Sequence, residues 1–270
     1  MKAFGVRAGG LLPLAGGLEQ TAWRAGDIVL KPVQAANHDE GDWIAAVLDV
    51  IVEDGFRVIK PVRAADGRWL ADGWAAWRWF DGEHERTRWQ DVRVAAEAFH
   101  RALRVAVDAA GVDARPAWLD TRGHRWALAE GVVWRGEPLP TAAIYDVPEW
   151  ELFERFRVAG PPLTVEEAER SQVVHGDIAG NVLVGTDGTP TFIDMSPGWR
   201  TPSSAEVQIL VEGYAFFGGV ESVLAGFDRA DIARACAFRL MCGFQALAIG
   251  LELNPEQLTR FRRILDLVDA

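Results

Sequence analysis

Residues 173–200, VVHGDIAGNVLVGTDGTPTFIDMSPGWR, are an island of strand-type sequence inside a C-terminal half that otherwise reads as helices. "NVLV" and "TFI" are apolar runs of strand length, and the "TDGT" between them carries an Asp-Gly pair that favours a tight hairpin turn. Such a hairpin has Asp177 and Asn181 at its loop end and Asp194 at the close of its return strand, so it draws three oxygen-bearing side chains towards one point. Carboxylate and amide oxygens are hard donors that suit Mg2+, which takes few protein ligands and completes its octahedron with water and substrate phosphates. Asp177 need not be a ligand, because a phosphoryl-transfer site also uses one carboxylate to orient or deprotonate the attacking hydroxyl.

The rest of the chain divides in two. From residue 1 to about 80, β-type runs such as "TAWRAGDIVLKPV", "FRVIKPV" and "RWLADGWAAWRWF" alternate with glycine-bearing turns. One helix interrupts them. In "HDEGDWIAAVLDVIVEDG" the residues Trp43, Ile44, Val47, Leu48 and Ile51 recur at helical spacing, and Asp39, Glu40 and Asp42 crowd the first turn, where the helix dipole favours negative charge. After "FDGEHE" the pattern turns helical: "RWQDVRVAAEAFHRALRVAVDAAG", "VPEWELFERFRVAG", "SSAEVQILVEGYAFFGG", "DRADIARACAFRLMCGFQALAIGLE" and "PEQLTRFRRILDLVD" all predict helices with recognisable start or stop residues. The expected architecture is α+β, with a small β-rich lobe (1–80) holding one helix and a larger helical lobe (81–270).

Charge and cysteine content narrow the function classes. Lys+Arg of 28 against Asp+Glu of 39 gives a net charge of −11, which repels a phosphate backbone and argues against nucleic-acid or anionic-membrane partners. The same charge suits a cationic small molecule, and solubility explains it equally well. Cys236 and Cys242 lie in one helical stretch without metal or disulfide spacing, which fits a reducing cytoplasm. No apolar run approaches the roughly 18 residues of a membrane span.

"HGDIAGN", followed after the hairpin by "FID", resembles the catalytic and metal-binding motifs of aminoglycoside phosphotransferases and their choline-kinase-like relatives, within the protein-kinase-like fold. The resemblance spans most of the chain, since the lobe order matches as well. It implies transfer of the γ-phosphoryl group of ATP to a hydroxyl of a small molecule, an amino sugar or aminoglycoside among the options. Asp177 is then the catalytic Asp, His175 a structural part of its loop, and Asn181 and Asp194 the Mg2+ ligands. The family order also asks for a strand lysine ahead of the acidic-headed helix. Lys31 stands there, whereas Lys60 follows that helix; Glu40 is the expected partner of Lys31, with Asp39 and Asp42 as alternatives. Gly16 and Gly17 occupy the place of a phosphate-covering loop without its glycine pattern, and Arg78, Trp79 and Phe80 occupy the place of the interlobe strand that meets adenine.

Two departures mark the chain. Asn181 stands four residues after Asp177, one fewer than in the kinase pattern, with Gly180 beside it to absorb a tighter turn. After Asp194 comes "MSPGWR" in place of the usual continuation. An active kinase remains the expectation, and a nucleotide-binding pseudokinase with a regulatory or scaffolding role is the alternative. Trp199 and Arg200 are candidates to face the acceptor. Glu206, Glu212 and Glu252 read as solvated helix faces, and His100 and His124 carry no metal-ligand spacing.

Overall fold

A computed structural model describes residues 1–6, 10–14, 22–139, 149–247 and 254–270, with the backbone alone described at 245–247. The chain groups into two compact units that interleave along the sequence: Met1–His84, Arg101–Ala114 and Asn181–Met195 in one, and Glu85–His100, Arg115–Gly180 and Ser196–Ala270 in the other. A single cut near residue 80 follows the change in patterning; the units follow contacts, and they group the hairpin after Asn181 with the N-terminal strands.

The strands of the first unit are β1 (Leu12–Pro13), β2 (Trp23–Ala25), β3 (Ile28–Pro32), β4 (Arg57–Val58), β5 (Pro61–Val62), β6 (Leu70–Ala71), β7 (Trp74–Arg78) and β8 (Glu83–His84). One antiparallel sheet has the order β1-β2-β3-β7-β5, with β6 also on β7. In β3, Ile28 and Leu30 are buried while Lys31 on the other face is half-exposed, the period-two pattern of a sheet with one covered side. Asp72 and Gly73, at φ 53° and 74°, make the two-residue turn between β6 and β7, where a tight hairpin needs both central residues in the left-handed region. "FRVIKPV", expected as one run, forms β4 and β5 as separate two-residue strands in different sheets.

The helix of this unit, α1 (His38–Val50), buries Trp43, Ile44, Val47 and Leu48 and carries Asp39 and Glu40 in its first turn. Lys60 Nζ donates to the carbonyls of Leu48 and Ile51 at 2.9 and 3.0 Å, so this lysine satisfies the C-terminal end of α1. The hairpin strands β10 (Val182–Val184) and β11 (Pro190–Phe192) pair Val182 with Phe192 and Val184 with Pro190, in a second sheet ordered β4-β11-β10-β8. Asp187 accepts from the Thr189 amide at the turn, as an Asp-Gly turn residue should.

Helix α2 (Trp89–Ala110) begins in the second unit, where Glu85 accepts from the amides of Arg86, Thr87 and Arg88 at 2.8–3.0 Å just ahead of its first turn. Burial raises the pKa of Glu85, but these bonds outweigh it and bring the value down to about 2. A depressed carboxyl stabilises the fold above its unfolded pKa of about 4.5 and loses that contribution as pH falls through about 2. Glu85→Ala is expected to cost about 1–2 kcal/mol in urea unfolding at pH 7, and the deficit relative to wild type to shrink between pH 4.5 and 2.

The remaining elements are α3 (Trp118–Thr121), α4 (Arg125–Trp134), α5 (Trp150–Ala159), α6 (Val165–Glu169), β9 (Gln172–His175), β12 (Pro197–Arg200), α7 (Pro202–Phe217), α8 (Arg229–Leu247) and α9 (Pro255–Asp269). Helix α8 packs against α4, α5, α7 and α9, burying Ala233, Cys236, Ala237, Met241 and Phe244. Pro at N1 and a Thr201 cap open α7, and Gly218 at φ 77° closes it. Three helices, α3, α4 and α6, were not expected from periodicity; each spans 10 residues or fewer, too short for an apolar period to stand out. Among the described residues no helix is long and apolar enough to cross a membrane.

Candidate active site

The first unit holds Lys31, Asn181 and Asp194. The Ile193 amide donates to the Asn181 carbonyl at 3.0 Å, so the hairpin ladder itself sets Asn181 beside the chain that ends in Asp194. Asp194 has φ 53°, one of two non-glycine residues among those described in the left-handed region. That conformation costs about 1 kcal/mol for a residue with a Cβ. Its carboxylate is 55 % exposed and pairs with Lys31 Nζ at 2.7 Å. An amide oxygen, a carboxylate and an adjacent ammonium on a half-exposed surface suit a hard cation with its phosphates, since Mg2+ needs only one or two protein carboxylates. The donor set therefore fits Mg2+, with Asn181 and Asp194 as the residues that would hold it. Glu40 lies half-buried in the first turn of α1, and the carboxylate paired with Lys31 is Asp194 rather than Glu40.

The second unit holds His175 and Asp177. β9 and β12 pair antiparallel, His175 opposite Pro197 and Gln172 opposite Arg200, and the Gly176 amide extends the ladder to the Ser196 carbonyl at 2.7 Å. The buried His175 Nδ1 accepts from the Asp177 amide at 3.2 Å, and the His175 amide donates to His100 Nε2 at 3.3 Å. His100 is fully enclosed; burial, then the charge of Arg200, lowers its pKa to about 3. His100 is thus neutral, with its proton on Nδ1, 3.6 Å from Glu206 Oε1. His175 and His100 are linked supports of the Asp177 backbone.

Asp177, 26 % exposed at its side chain, ends a buried chain of charges. Arg239 Nη2 donates to Asp177 Oδ1 at 2.5 Å and Arg239 Nε to Glu212 Oε1 at 2.6 Å. Gln208 donates to Glu212 and, at 2.8 Å, to the Gly176 carbonyl, and accepts from Arg200 at 2.5 Å. Arg200 and the Trp199 amide donate to Glu130 Oε1 at 3.0 and 3.1 Å, and Arg122 Nη2 lies 3.5 Å from Glu130 Oε2. Three guanidinium groups thus meet three carboxylates, which keeps a buried network neutral. Gly198 makes room for it: a Cβ there would fall 2.3 Å from Glu130 Oε1. Burial pushes the Glu212 carboxyl up, opposed by Arg239; burial also works against the charge of Arg239, but Glu212 and Asp177 hold it well above the usual arginine value.

Several expectations change here. Arg200 is buried over Trp134, its Cζ 4.2 Å from the ring centroid, and its guanidinium is bonded to Glu130. Glu206 and Glu212, read as solvated, are both buried. Gly180 is outside the left-handed region with open space around it, so the shortened loop does not rest on glycine. His124 is the N-cap of α4, its Nδ1 accepting from the Ala127 amide at 3.3 Å. Arg78 pairs with Asp27 at 2.9 Å, Trp79 lies under Arg24 at 4.0 Å, and Phe80 fills the space that side chains at Gly82 and Gly185 would occupy. Gly16, Gly17 and Glu252 lie outside the described residues. Sequence reasoning missed Arg239, Gln208 and Glu130. One signal existed: Gln208 and Glu212 lie four apart in a helix that is apolar over most of its length, and a buried charge there needs a partner.

A model of the phosphotransferase enzyme family matches residues 10–197, and the chain belongs to that family. Similar solved structures include a spectinomycin phosphotransferase in complex with ADP and spectinomycin, at 14 % identity and TM-score 0.54 over 99 % of this chain and 94 % of that one. A choline kinase from Streptococcus pneumoniae has 12 % identity and TM-score 0.50 over 96 % and 94 %. An apoenzyme macrolide 2′-phosphotransferase from Brachybacterium faecium has 16 % identity and TM-score 0.50 over 97 % and 93 %. The fold is the protein-kinase-like one these share, with a small β-rich part holding one helix and a larger helical part. Among curated proteins no sequence matches the chain.

Proposed function

We propose that the protein transfers the γ-phosphoryl group of ATP to a hydroxyl of a small molecule. The observation that carries this reading is the Asp177 carboxylate, part-exposed and fixed by Arg239 at 2.5 Å, in the loop that leads through Asn181 to Asp194. The acceptor oxygen attacks the γ-phosphorus, the bond to the β-phosphate oxygen breaks, ADP leaves, and the hydroxyl proton passes to Asp177. In such a loose, highly charged transition state the protein's work is positioning and charge neutralisation. Lys31 binds phosphate oxygens, His175 holds the Asp177 backbone, and Arg239 holds its carboxylate. Bound at Asn181 and Asp194, Mg2+ would neutralise phosphate charge. Support for the nucleotide comes from a neighbour crystallised with ADP.

One observation favours a pseudokinase instead: Lys31 and Asp194 are paired with each other at 2.7 Å. Because both readings include nucleotide binding, turnover separates them. In the active reading Lys31 and Asp194 would part, Lys31 to phosphate oxygens and Asp194 to the metal it would hold. Wild type is expected to gain about 2.7 kcal/mol of stability from ATP at a hundredfold excess over Kd, only with Mg2+, and Asp194→Ala to lose most of it. Thermal unfolding with and without Mg2+ measures this, and equal ATP stabilisation of both proteins would contradict the assignment of Asp194. ADP formation with an acceptor pool then decides for the enzyme.

A further inference from the structure

The phosphotransferase reading leaves the acceptor open, and the surroundings of Asp177 within the second unit bear on it. A small cavity of about 10 Å³ is lined by Asp177, Gly176, Arg122, His124, Trp126 and Glu130, among others. That is close to the room one water or hydroxyl oxygen needs, so the cavity accepts the tip of a molecule and leaves its body outside.

Cationic and aromatic side chains stand beside this cavity. Trp126 carries two guanidinium groups, Arg125 and Arg239, each 4.9 Å from its ring centroid, and Arg239 is the one bonded to Asp177. Arg125 therefore stands one indole away from the candidate base. Among the described residues no carboxylate lies within ion-pair distance of Arg125, in contrast to the paired Arg200 and Arg239. Arg122 stacks over Trp118 at 5.6 Å while its Nη2 reaches the Pro197 carbonyl at 2.7 Å. His124 adds no negative charge and is neutral, because burial, then Arg122 and Arg125, lower its pKa to about 4.

Among the described residues that line the cavity, only Glu130 and Asp177 are acidic, and Glu130 is buried and bonded to Arg200. Glu212, behind Arg239, is enclosed as well. A polyamine-like acceptor would lose hydration against Arg125, and among the described lining residues only Asp177 is a carboxylate not already bonded to Arg200; like charges face to face select against a partner. Among the described residues Arg125 thus stands as one cation beyond the neutral set of charges around the candidate base.

From this we infer that the acceptor is a hydroxyl compound bearing a carboxylate or phosphate group, and that this anionic group binds Arg125 beside Trp126. It rests on the phosphotransferase reading above. Guanidinium is the side chain suited to planar, two-point recognition of such oxygens, and its stacking on an indole holds it in place for that contact.

The test is ADP release by the wild-type protein with Mg2+, ATP and four acceptor pools: hydroxy-carboxylates (gluconate, glycerate), hydroxy-phosphates (glucose 6-phosphate, glycerol 3-phosphate), aminated alcohols (kanamycin, choline) and neutral sugars. Release is expected with the first or second pool, which also tells carboxylate from phosphate. With the active pool, Arg125→Glu is expected to raise KM by about tenfold or more with a smaller change in kcat, and Arg125→Lys to recover part of the loss. Release only with aminated or neutral pools overturns the inference and leaves the phosphotransferase reading intact, as does an unchanged KM in Arg125→Glu. Release with none of the pools overturns both. Far-ultraviolet dichroism of the variants guards against misfolding, and Arg125→Ala, which removes the charge without reversing it, must fall between Lys and Glu for the inference to stand.

Discussion

Asp177→Asn is expected to reduce acceptor phosphorylation by about 10²–10⁴-fold while leaving ATP binding within about twofold of wild type. The substitution keeps size and shape, and takes away the negative charge that accepts the hydroxyl proton. It also weakens one of the two ion pairs of Arg239, but Glu212 Oε1 stays 2.6 Å from Arg239 Nε, so the guanidinium keeps a buried counter-charge and the loop keeps its support from His175. Coupled ADP-release kinetics and ATP titration on the same protein measure the two halves of the prediction. A variant retaining more than a third of wild-type turnover would remove Asp177 from the proton-accepting role, and loss of ATP binding would point to general damage.

Glu212→Leu is expected to destabilise the fold by about 3–5 kcal/mol, the cost of leaving a buried charge without its partner. Glu212 is 1 % exposed at its side chain and accepts from both Arg239 and Gln208, so its removal leaves Asp177 as the remaining counter-charge of Arg239 and the buried network with one positive charge uncompensated. Gln208 also holds the Gly176 carbonyl, and Arg239 the Asp177 carboxylate, so the same change loosens the candidate base. Glu212→Gln, which keeps an acceptor for Arg239, should cost markedly less. Urea unfolding checks this through a lowered midpoint with an unchanged slope. A loss below about 1 kcal/mol for Glu212→Leu would mean that the network contributes little to stability.

Local patterning carried much of this structure in the sequence. The hairpin from Val182 to Phe192, the first helix with Asp39 and Glu40 at its head, and the last helix from Pro255 to Asp269 all follow from periodicity, turn residues and caps. Pairings between distant segments were not legible. "MSPGWR" reads as an odd continuation after Asp194, yet its Pro197–Arg200 portion is a strand because β9 offers it a partner. Arg239 and Asp177 are 62 positions apart and Arg200 and Glu130 are 70 apart; no local rule joins them. Glu206 and Glu212 show why a charged residue on a helix cannot be assigned to solvent by its type. An arginine on another helix can make burial tolerable, and only the fold shows that it is there. The position of Lys60 after the acidic helix left its role undefined until its bonds to the carbonyls of Leu48 and Ile51 appeared.

The two candidate sets gain their meaning from one shared chemistry. In the function proposed above, Asn181, Asp194 and Lys31 would address phosphate and metal, whereas Asp177, with His175 and Arg239 behind it, would address the acceptor. Steady-state ADP release with Mg2+ and ATP, compared with and without an acceptor pool in wild type and Asp177→Asn, tests that division most directly. Acceptor-dependent release in wild type and none in the variant is the predicted result. ATP that stabilises the wild-type protein in the presence of Mg2+ yet yields no ADP with any acceptor pool would contradict it.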